Sequence, residues 1–322
     1  MRLLATTLLA AALGSTPALA QDERIAIGST SSSSSHYAYF VAVSQLINNN
    51  IEDIQADVVE TGATIDNLKR LQRDQVDIGL VTTNVAYDVH SGLGDFEGRA
   101  YQPPMLWVYA SAPQNVVVRE DAGIESLEDL EGQEFNPGIT GSATEATTEA
   151  VFELLDIQPD WARGSTGDIV NQIKDDRIIG YVKSGSGKQL DASSMDIATS
   201  TPISLIGLDE SQADTLRKDF PNLAVLDIAE GEAGEGYPAY TTWAFGVGAV
   251  STPDLSEEAA YKIVKTVVED DSEQAAAFSG LKGSQIPEMT MELATTPLHP
   301  GAIRYYEEIG VEVPDRLRPE SD

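Results

Sequence analysis

The sequence predicts an α/β fold of two lobes, each a central, mostly parallel sheet flanked by helices, with a ligand cleft between the lobes. Short β-rich runs alternate with amphipathic segments along the chain, which is the pattern of parallel sheets covered by helices on both faces. The 322 residues are enough for two domains that each bury a core. Two apolar segments, near 115–118 and 243–250, are placed to connect the lobes.

The first lobe begins with a β-α-β-α-β pattern. Predicted strands cover residues 24–27, 57–60 and 77–81. The helices that follow the first two strands have one apolar face each, formed by Phe40, Val43 and Ile47 and by Ile65, Leu68 and Leu71. Units of this kind form parallel sheets with right-handed crossovers.

The middle of the chain repeats the scheme and gives the second lobe. Ser142 with Glu145 predicts a capping box, Ser165 with Asp168 predicts another helix start, and residues 178–182 predict a buried strand. Because the chain crosses between the lobes twice, the first lobe is discontinuous. We expect lobe I to contain residues 21–116 and 248–322, lobe II residues 117–247, and the hinge strands to lie near 115–118 and 243–250.

The first 20 residues have the pattern of a cleaved signal peptide. Arg2 is followed by an apolar stretch over residues 3–13, and Ala18-Leu-Ala20 forms a cleavage site. The apolar stretch is too short to span a bilayer. We therefore expect export across the inner membrane to the periplasm. With no cysteine in the chain, neither a disulfide nor a lipid-modified cysteine is possible.

The composition excludes some classes of function. A formal net charge of −32 is incompatible with binding phosphate backbones, so no nucleic-acid partner is expected. Acidic residues spread over the whole chain are typical of proteins that stay soluble in concentrated salt, and a saline habitat is a hypothesis. The chain lacks a G-x-S-x-G nucleophile motif, and its three histidines lack metal-ligand spacing. We expect no enzymatic activity and no cofactor.

Four predicted strand-to-helix junctions share small hydroxyl residues and glycine. They cover residues 29–37, 61–64, 82–84 and 138–144. In open parallel sheets such junctions lie at the carboxyl ends of strands, where ligands bind, and the first N–H groups of each helix attract anions. Any one junction could be an ordinary N-cap. Four of them, divided between two lobes, predict a binding cleft.

Several segments resemble one protein family. They are residues 66–81 (DNLKRLQRDQVDIGLV), 84–87 (NVAY), 96–98 (FEG), 138–144 (GITGSAT), 237–238 (YP) and 297–308 (PLHPGAIRYYEE). Together they resemble the TAXI family, the solute receptors of tripartite ATP-independent periplasmic (TRAP) transporters. The resemblance covers essentially the whole chain after the signal peptide.

The resemblance implies a fold like that of type II periplasmic binding proteins. It also implies that the chain captures a small carboxylate or amino acid, such as glutamate, glutamine or 2-oxoglutarate. An integral membrane permease driven by an ion gradient would be its partner, and we expect the chain to act as a monomer. Together with the junctions, the resemblance gives a candidate ligand-binding set: Ser33, Ser34, Ser35, His36, Tyr37, Thr61, Thr64, Thr82, Thr83, Asn84, Gly141, Ser142, Thr144, Lys183 and Tyr237.

The chain departs from the family pattern inside this set. The first loop has serines where the family usually has glycines, and residues 182–187 (VKSGSG) replace a Gly-Tyr-Pro element. Lys183 follows a predicted strand and would pair with a ligand carboxylate if it faces the cleft. The alternative is a solvated surface lysine. A sensory binding module and a receptor of another transporter class share the predicted architecture and stay open as alternatives.

Overall fold

A computed structural model describes residues 23–319, apart from residues 94–96, 99–100, 221 and 271. The predicted signal peptide and Phe96 lie outside the described residues. Within these ranges the structure has ten strands: β1 Glu23–Gly28, β2 Ile54–Val59, β3 Ile78–Thr82, β4 Met105–Arg119, β5 Glu134–Asn136, β6 Asp160–Trp161, β7 Gly180–Ser184, β8 Ile203–Ile206, β9 Ala224–Ile228 and β10 Tyr240–Ser251. Eleven α-helices accompany them among the described residues: α1 Ser35–Asn50, α2 Thr64–Leu71, α3 Thr83–Ser91, α4 Ala143–Leu154, α5 Thr166–Lys174, α6 Ala192–Ala198, α7 Glu210–Asp219, α8 Glu257–Glu269, α9 Glu273–Ala277, α10 Ile286–Leu293 and α11 Pro300–Glu308.

The two halves of the strand network have the same order. On one side, β1 lies between β2 and β3 and is parallel to both. On the other side, β5 lies between β6 and β7 and is again parallel to both. We call the first half lobe I and the second half lobe II. In each half the chain continues first to one side and then to the other side of the central strand, and the loops that follow these strands form a crevice. Each lobe therefore has an edge where a ligand can bind.

Strands β4 and β10 connect the lobes. Residues 105–113 of β4 pair with β10, whereas residues 114–119 pair with β7 and β8. In β10, residues 240–244 pair with β9 of lobe II, and residues 247–251 pair with β3 of lobe I. All these pairings are antiparallel, so each lobe combines three parallel strands with antiparallel crossing strands. The predicted two-lobe α/β fold is confirmed; the domain boundaries given above stay a prediction.

Aromatic side chains fill the core where β4 runs under α1. Trp107, Tyr109 and Tyr39 are all completely buried. The Tyr39 and Tyr109 rings stack with their centroids 3.7 Å apart, and the indole N–H of Trp107 donates to the Tyr39 hydroxyl at 2.8 Å. Each buried polar atom in this stack therefore has a partner, which burial in an apolar core requires. The stack fixes α1 on the sheet.

Serine hydroxyls cap the starts of four described helices, α1, α4, α5 and α8. The hydroxyl of Ser142 accepts from the N–H of Glu145, and that of Ser165 accepts from the N–H of Asp168, as the sequence predicts. The predicted capping box is wrong in one respect: the Glu145 carboxylate accepts from the N–H of Gly141 rather than from that of Ser142. Its other oxygen binds Arg163, which draws the carboxylate away from the helix start. Along the part of the chain that is described, no helix combines the length and apolarity that crossing a membrane requires.

Candidate functional site

A small cavity of about 40 Å³ lies between the binding edges of the two lobes. Residues of both lobes line it: Thr30, His36, Ala63, Thr64, Leu80, Thr82 and Val247 from lobe I, and Ile139, Ser142, Ala143, Thr144, Lys183 and Ser184 from lobe II. Since one water needs roughly 10–15 Å³ measured in this way, the cavity has room for a few waters. A larger ligand requires the lobes to separate slightly around it.

The lobe I wall is built from the starts of α1, α2 and α3. These helices follow β1, β2 and β3, and their first N–H groups lie at the same edge of the sheet. Ala63, immediately before α2, has φ of 69° and ψ of −148°, a conformation that non-glycine residues rarely adopt. Backbone strain of this kind is found most often at ligand-binding sites, and Ala63 lines the cavity.

His36 brings an imidazole ring to the cavity. Its Nδ1 atom lies 2.8 Å from the Tyr109 hydroxyl, and the ring packs against Phe278 with centroids 5.0 Å apart. Burial removes the ring from solvent and lowers the pKa of His36 to about 4, so the ring is neutral near pH 7. Because Tyr109 can either donate or accept, the Nε2 atom can offer a ligand either a proton or a lone pair.

Three polar side-chain atoms at the cavity are buried and have no hydrogen-bond partner among the described residues. They are Nε2 of His36, Oγ1 of Thr64 and Oγ1 of Thr82. Leaving such atoms unpaired costs on the order of 1–3 kcal/mol each. Native structures tolerate this cost mostly where a ligand or an ordered water completes the bonding. These three residues are therefore candidates for hydrogen bonds to a ligand.

The lobe II wall is organised by a glutamine on the connecting strand β4. The side-chain oxygen of Gln114 accepts hydrogen bonds from Thr144 at 2.9 Å and from Ser184 at 3.1 Å. The Gln114 amide nitrogen donates to the carbonyl of Ala112, which fixes its orientation. Two hydroxyls of the cavity wall are thus held by a residue that lies where the chain passes from one lobe to the other.

Lys183 faces the cleft rather than solvent. Its side chain is 10% exposed, and its Nζ atom donates to Ser34 Oγ at 3.3 Å. Nζ also lies 3.7 Å from the carboxylate of Asp191, the N-cap residue of α6. Burial alone would raise the pKa of Asp191, but the charge of Lys183 and hydrogen bonds from Ser193 outweigh burial and hold that pKa below its ordinary value. Lys183 and Asp191 form a buried ion pair beside the cavity.

Hydrogen bonds join the two lobes around the cavity. The N–H groups of Ile65 and Asp66, at the start of α2, donate to the carbonyl of Gly141 at 3.0 and 3.3 Å. Asn84 of α3 donates to the hydroxyl of Thr147 of α4 at 3.0 Å. At the start of α1, the N–H of Ser35 and the hydroxyl of Ser34 donate to the carboxylate of Asp191. The structure is therefore a closed arrangement of the two lobes.

The predicted site residues divide into three groups. His36, Thr64, Thr82, Ser142, Thr144 and Lys183 line the cavity. Ser34, Ser35, Asn84 and Gly141 bond across the lobes beside it. The remaining five are not brought to the cavity: Ser33 is exposed, Tyr37 is partly exposed, Thr61 bonds to Ser29 and Asn67, Thr83 bonds to Gly246, and Tyr237 packs against the smaller lobe II core cluster. Their role in binding, like that of the others, stays a prediction.

Sequence reasoning missed Asp191 and Gln114. Asp191 precedes the short helix Ala192–Ala198, and an aspartate before a helix is a recognisable N-cap. Nothing local to either residue indicates burial, because Lys183 and Ser34 approach Asp191 only when both lobes have folded. The described residues contain no cluster of metal-ligating side chains.

Comparison with known proteins identifies a family and a fold. A family model described as NMT1-like matches residues 26–310. Among solved structures, an ancestral arginine-binding protein bound to arginine is 12% identical, with a TM-score of 0.50 over 80% of this chain and 96% of that chain. A protein named as an L-cystine ABC transporter from Listeria monocytogenes is also 12% identical, with a TM-score of 0.52 over 81% and 97% of the two chains.

A third similar structure concerns glutathione import in Gram-positive bacteria through GshT and the cystine ABC importer TcyBC of Streptococcus mutans. It is 14% identical, with a TM-score of 0.50 over 83% of this chain and 98% of that chain. At such identities the likeness concerns the fold, and it confirms the type II periplasmic binding protein architecture.

Proposed function

The chain belongs to the NMT1-like family, and from this premise we propose that it is an extracytoplasmic solute-binding receptor. It closes its two lobes on a small carboxylate or amino acid and delivers this ligand to a transporter in the membrane. One observation carries the proposal: His36, Thr64 and Thr82, which line a cavity between the lobes, each have a buried polar atom without a partner among the described residues. A polar ligand that completes these hydrogen bonds stabilises the closed arrangement.

The energetics favour several shared contacts over one dominant contact. Micromolar affinity requires about −8 kcal/mol, whereas one helix N-terminus contributes roughly 0.3–2 kcal/mol toward an anionic group. The hydroxyls of Thr64 and Thr82, the imidazole of His36 and the first N–H groups of α3 must therefore act together. Closure excludes water, which strengthens each of these interactions.

The partner that fits the sequence best is the permease of a TRAP transporter, because the motifs at residues 66–81 and 297–308 resemble the TAXI receptors. A receptor of an ABC transporter is the alternative, favoured by the names of the similar structures. Reconstitution in proteoliposomes distinguishes them. Uptake that needs this protein and an ion gradient supports the TRAP partner, and uptake that needs ATP supports the alternative.

The receptor role is tested by thermal unfolding of the mature chain, first unfolded and refolded to remove any bound solute. The panel contains glutamate, glutamine, 2-oxoglutarate, dicarboxylates, neutral amino acids and sugars. A ligand that binds only the folded state raises the free energy of unfolding, by about 2.7 kcal/mol at a hundredfold excess over Kd. The unfolding temperature rises with it. A shift of several degrees with one carboxylate or amino acid is expected. A flat response over the whole panel would count against the proposal.

A further inference from the structure

Asp191 is a completely buried carboxylate, and its role as the N-cap of the short helix α6 does not account for all of its hydrogen bonds. One of its oxygens accepts from the backbone N–H of Ser35 at 2.8 Å and from the Ser34 hydroxyl at 3.0 Å, both in lobe I. In return, Ser35 Oγ accepts from the N–H of Ala192 at 2.9 Å. The carboxylate thus lies at the start of α1, where the helix dipole attracts negative charge. A carboxylate of the protein itself occupies one of the anion-binding positions of the cleft.

The charges at the cavity balance to zero. Among the described residues that line it, Lys183 is the one with a formal charge, and Asp191 compensates that charge. His36 is neutral near pH 7 because burial keeps its pKa low. Other carboxylates at the rim are engaged elsewhere: Asp66 binds Arg70, and Glu145 binds Arg163.

Resting on the proposed function, we infer that Asp191 makes the closed cleft select a small polar ligand without net charge, such as a zwitterionic amino acid, over an anion of the same shape. Lys183 and the start of α1 would each attract a ligand carboxylate, but Asp191 already engages both. A second negative charge enclosed beside Asp191 has no counter-charge of its own, and an uncompensated buried charge is strongly unfavourable. A zwitterion brings its own positive group, and a neutral amide needs only hydrogen bonds from the unpaired hydroxyls.

This role differs from that of a structural latch in what it changes. A latch that only holds the lobes together affects all ligands alike, since each ligand needs the same closure. A residue that sets the charge of the site changes the ratio of affinities between two ligands that match in size and differ by one charge. Asp191 acts through Lys183 and α1 and is therefore a positioning residue, for which this ratio is the diagnostic measurement.

The experiment uses the full mature chain and three matched pairs of probes: glutamine with glutamate, asparagine with aspartate, and succinamide with succinamate. The second member of each pair carries one more negative charge. Calorimetric titration measures the affinity ratio for the wild-type protein, for Asp191→Asn, and for the double variant Asp191→Asn with Lys183→Met. Asp191→Asn leaves the charge of Lys183 uncompensated, whereas the double variant restores a neutral site without either charge.

We expect the wild-type protein to prefer the less charged member of the pair it binds by at least tenfold. Asp191→Asn should reverse the preference by at least tenfold, and the double variant should return it to the less charged member. If Asp191→Asn folds poorly, the double variant against Lys183→Met alone gives the same comparison, because Lys183→Met leaves Asp191 uncompensated and should reject the anion most strongly. Equal wild-type affinities, or a ratio that Asp191→Asn leaves unchanged, would overturn the inference while the receptor role stands. Binding of none of the six probes would contradict the proposed carboxylate or amino-acid ligand, and the inference with it.

Discussion

Gly62, at the start of the α2 junction in lobe I, lies directly against the carbonyl oxygen of Thr140 in lobe II. A Cβ atom on Gly62 would come within 2.7 Å of that oxygen. The contact exists only while the lobes are closed, since Thr140 belongs to the loop that precedes α4. The glycine is therefore needed for closure, and a side chain at this position would hold the two lobes apart.

The variant Gly62→Ala should weaken ligand binding by about tenfold or more, because overpacking of a tight contact costs on the order of 1–3 kcal/mol and the cost falls on the closed form. Calorimetry measures the affinity, and small-angle scattering measures how compact the ligand-saturated protein is. Gly167→Ala on α5 is the matched control, since a Cβ there meets no atom within 4 Å. A Gly62→Ala protein that binds as well as the control would show that closure does not require this contact.

Substitutions at Thr64 and Thr82 should affect ligand binding without lowering stability. Neither hydroxyl has a partner among the described residues, so Thr64→Val and Thr82→Val should leave the free energy of unfolding within about 0.5 kcal/mol or raise it. Each should weaken ligand binding by about fivefold to tenfold, the effect of one lost hydrogen bond. Urea unfolding and calorimetry on the same preparations test both parts.

Thr290→Val is the control for these two variants. The Thr290 hydroxyl accepts from the N–H of Val108 at 2.9 Å and donates to the carbonyl of Ile286 at 2.7 Å, in the lobe I core. Its loss should lower the free energy of unfolding by about 1–3 kcal/mol and leave affinity unchanged. A stability loss in Thr64→Val or Thr82→Val as large as in this control would mean that those hydroxyls are structural.

How far the sequence predicts the site depends on whether the signal is local. The helix starts at Ser142 and Ser165 depend on residues three positions apart, and hydrophobic periodicity predicts the strands for the same reason. Lys183 could be singled out, because a lysine just after the predicted strand 178–182 is unusual in a chain with so few basic residues, although the structure places it inside β7. The pairing of Lys183 with Asp191 could not be predicted, since Ser34, Lys183 and Asp191 come together only when the two lobes pack. Tyr237 is predicted from a motif, and the structure places its ring against the lobe II cluster; its role in binding stays a prediction.

The acidic surface should make stability depend on salt. With a formal charge of −32, carboxylates outnumber their basic partners, and repulsion between them opposes the compact state. Raising sodium chloride from about 0.1 M to about 1 M shortens the screening length from about 10 Å to about 3 Å, so the unfolding temperature should rise. Sucrose at equal osmolarity is the control for general solute exclusion. An unfolding temperature that does not rise with sodium chloride would argue against adaptation to saline surroundings.

His36 should make the fold sensitive to mild acid. In the unfolded chain its pKa is near 6.5, whereas burial lowers it to about 4 in the folded protein. Between these values the unfolded state binds a proton that the folded state does not, so this contribution to stability is complete near pH 7 and is lost as the pH falls from about 6.5 to about 4. A shift of this size corresponds to about 3 kcal/mol.

Urea unfolding of the wild-type protein and of His36→Gln over this pH range isolates the histidine from the many carboxylates, because those titrate in both proteins. The free energy of unfolding of the wild-type protein, relative to that of His36→Gln, should fall by about 3 kcal/mol on going from pH 7 to pH 4. Asp191 does not produce the same signal, since its pKa is held below its ordinary value and its own loss of stability therefore falls below the pH range compared. A difference that stays constant with pH would mean that His36 has the same pKa in the folded and the unfolded protein, so that burial does not keep its ring neutral below about pH 6.5.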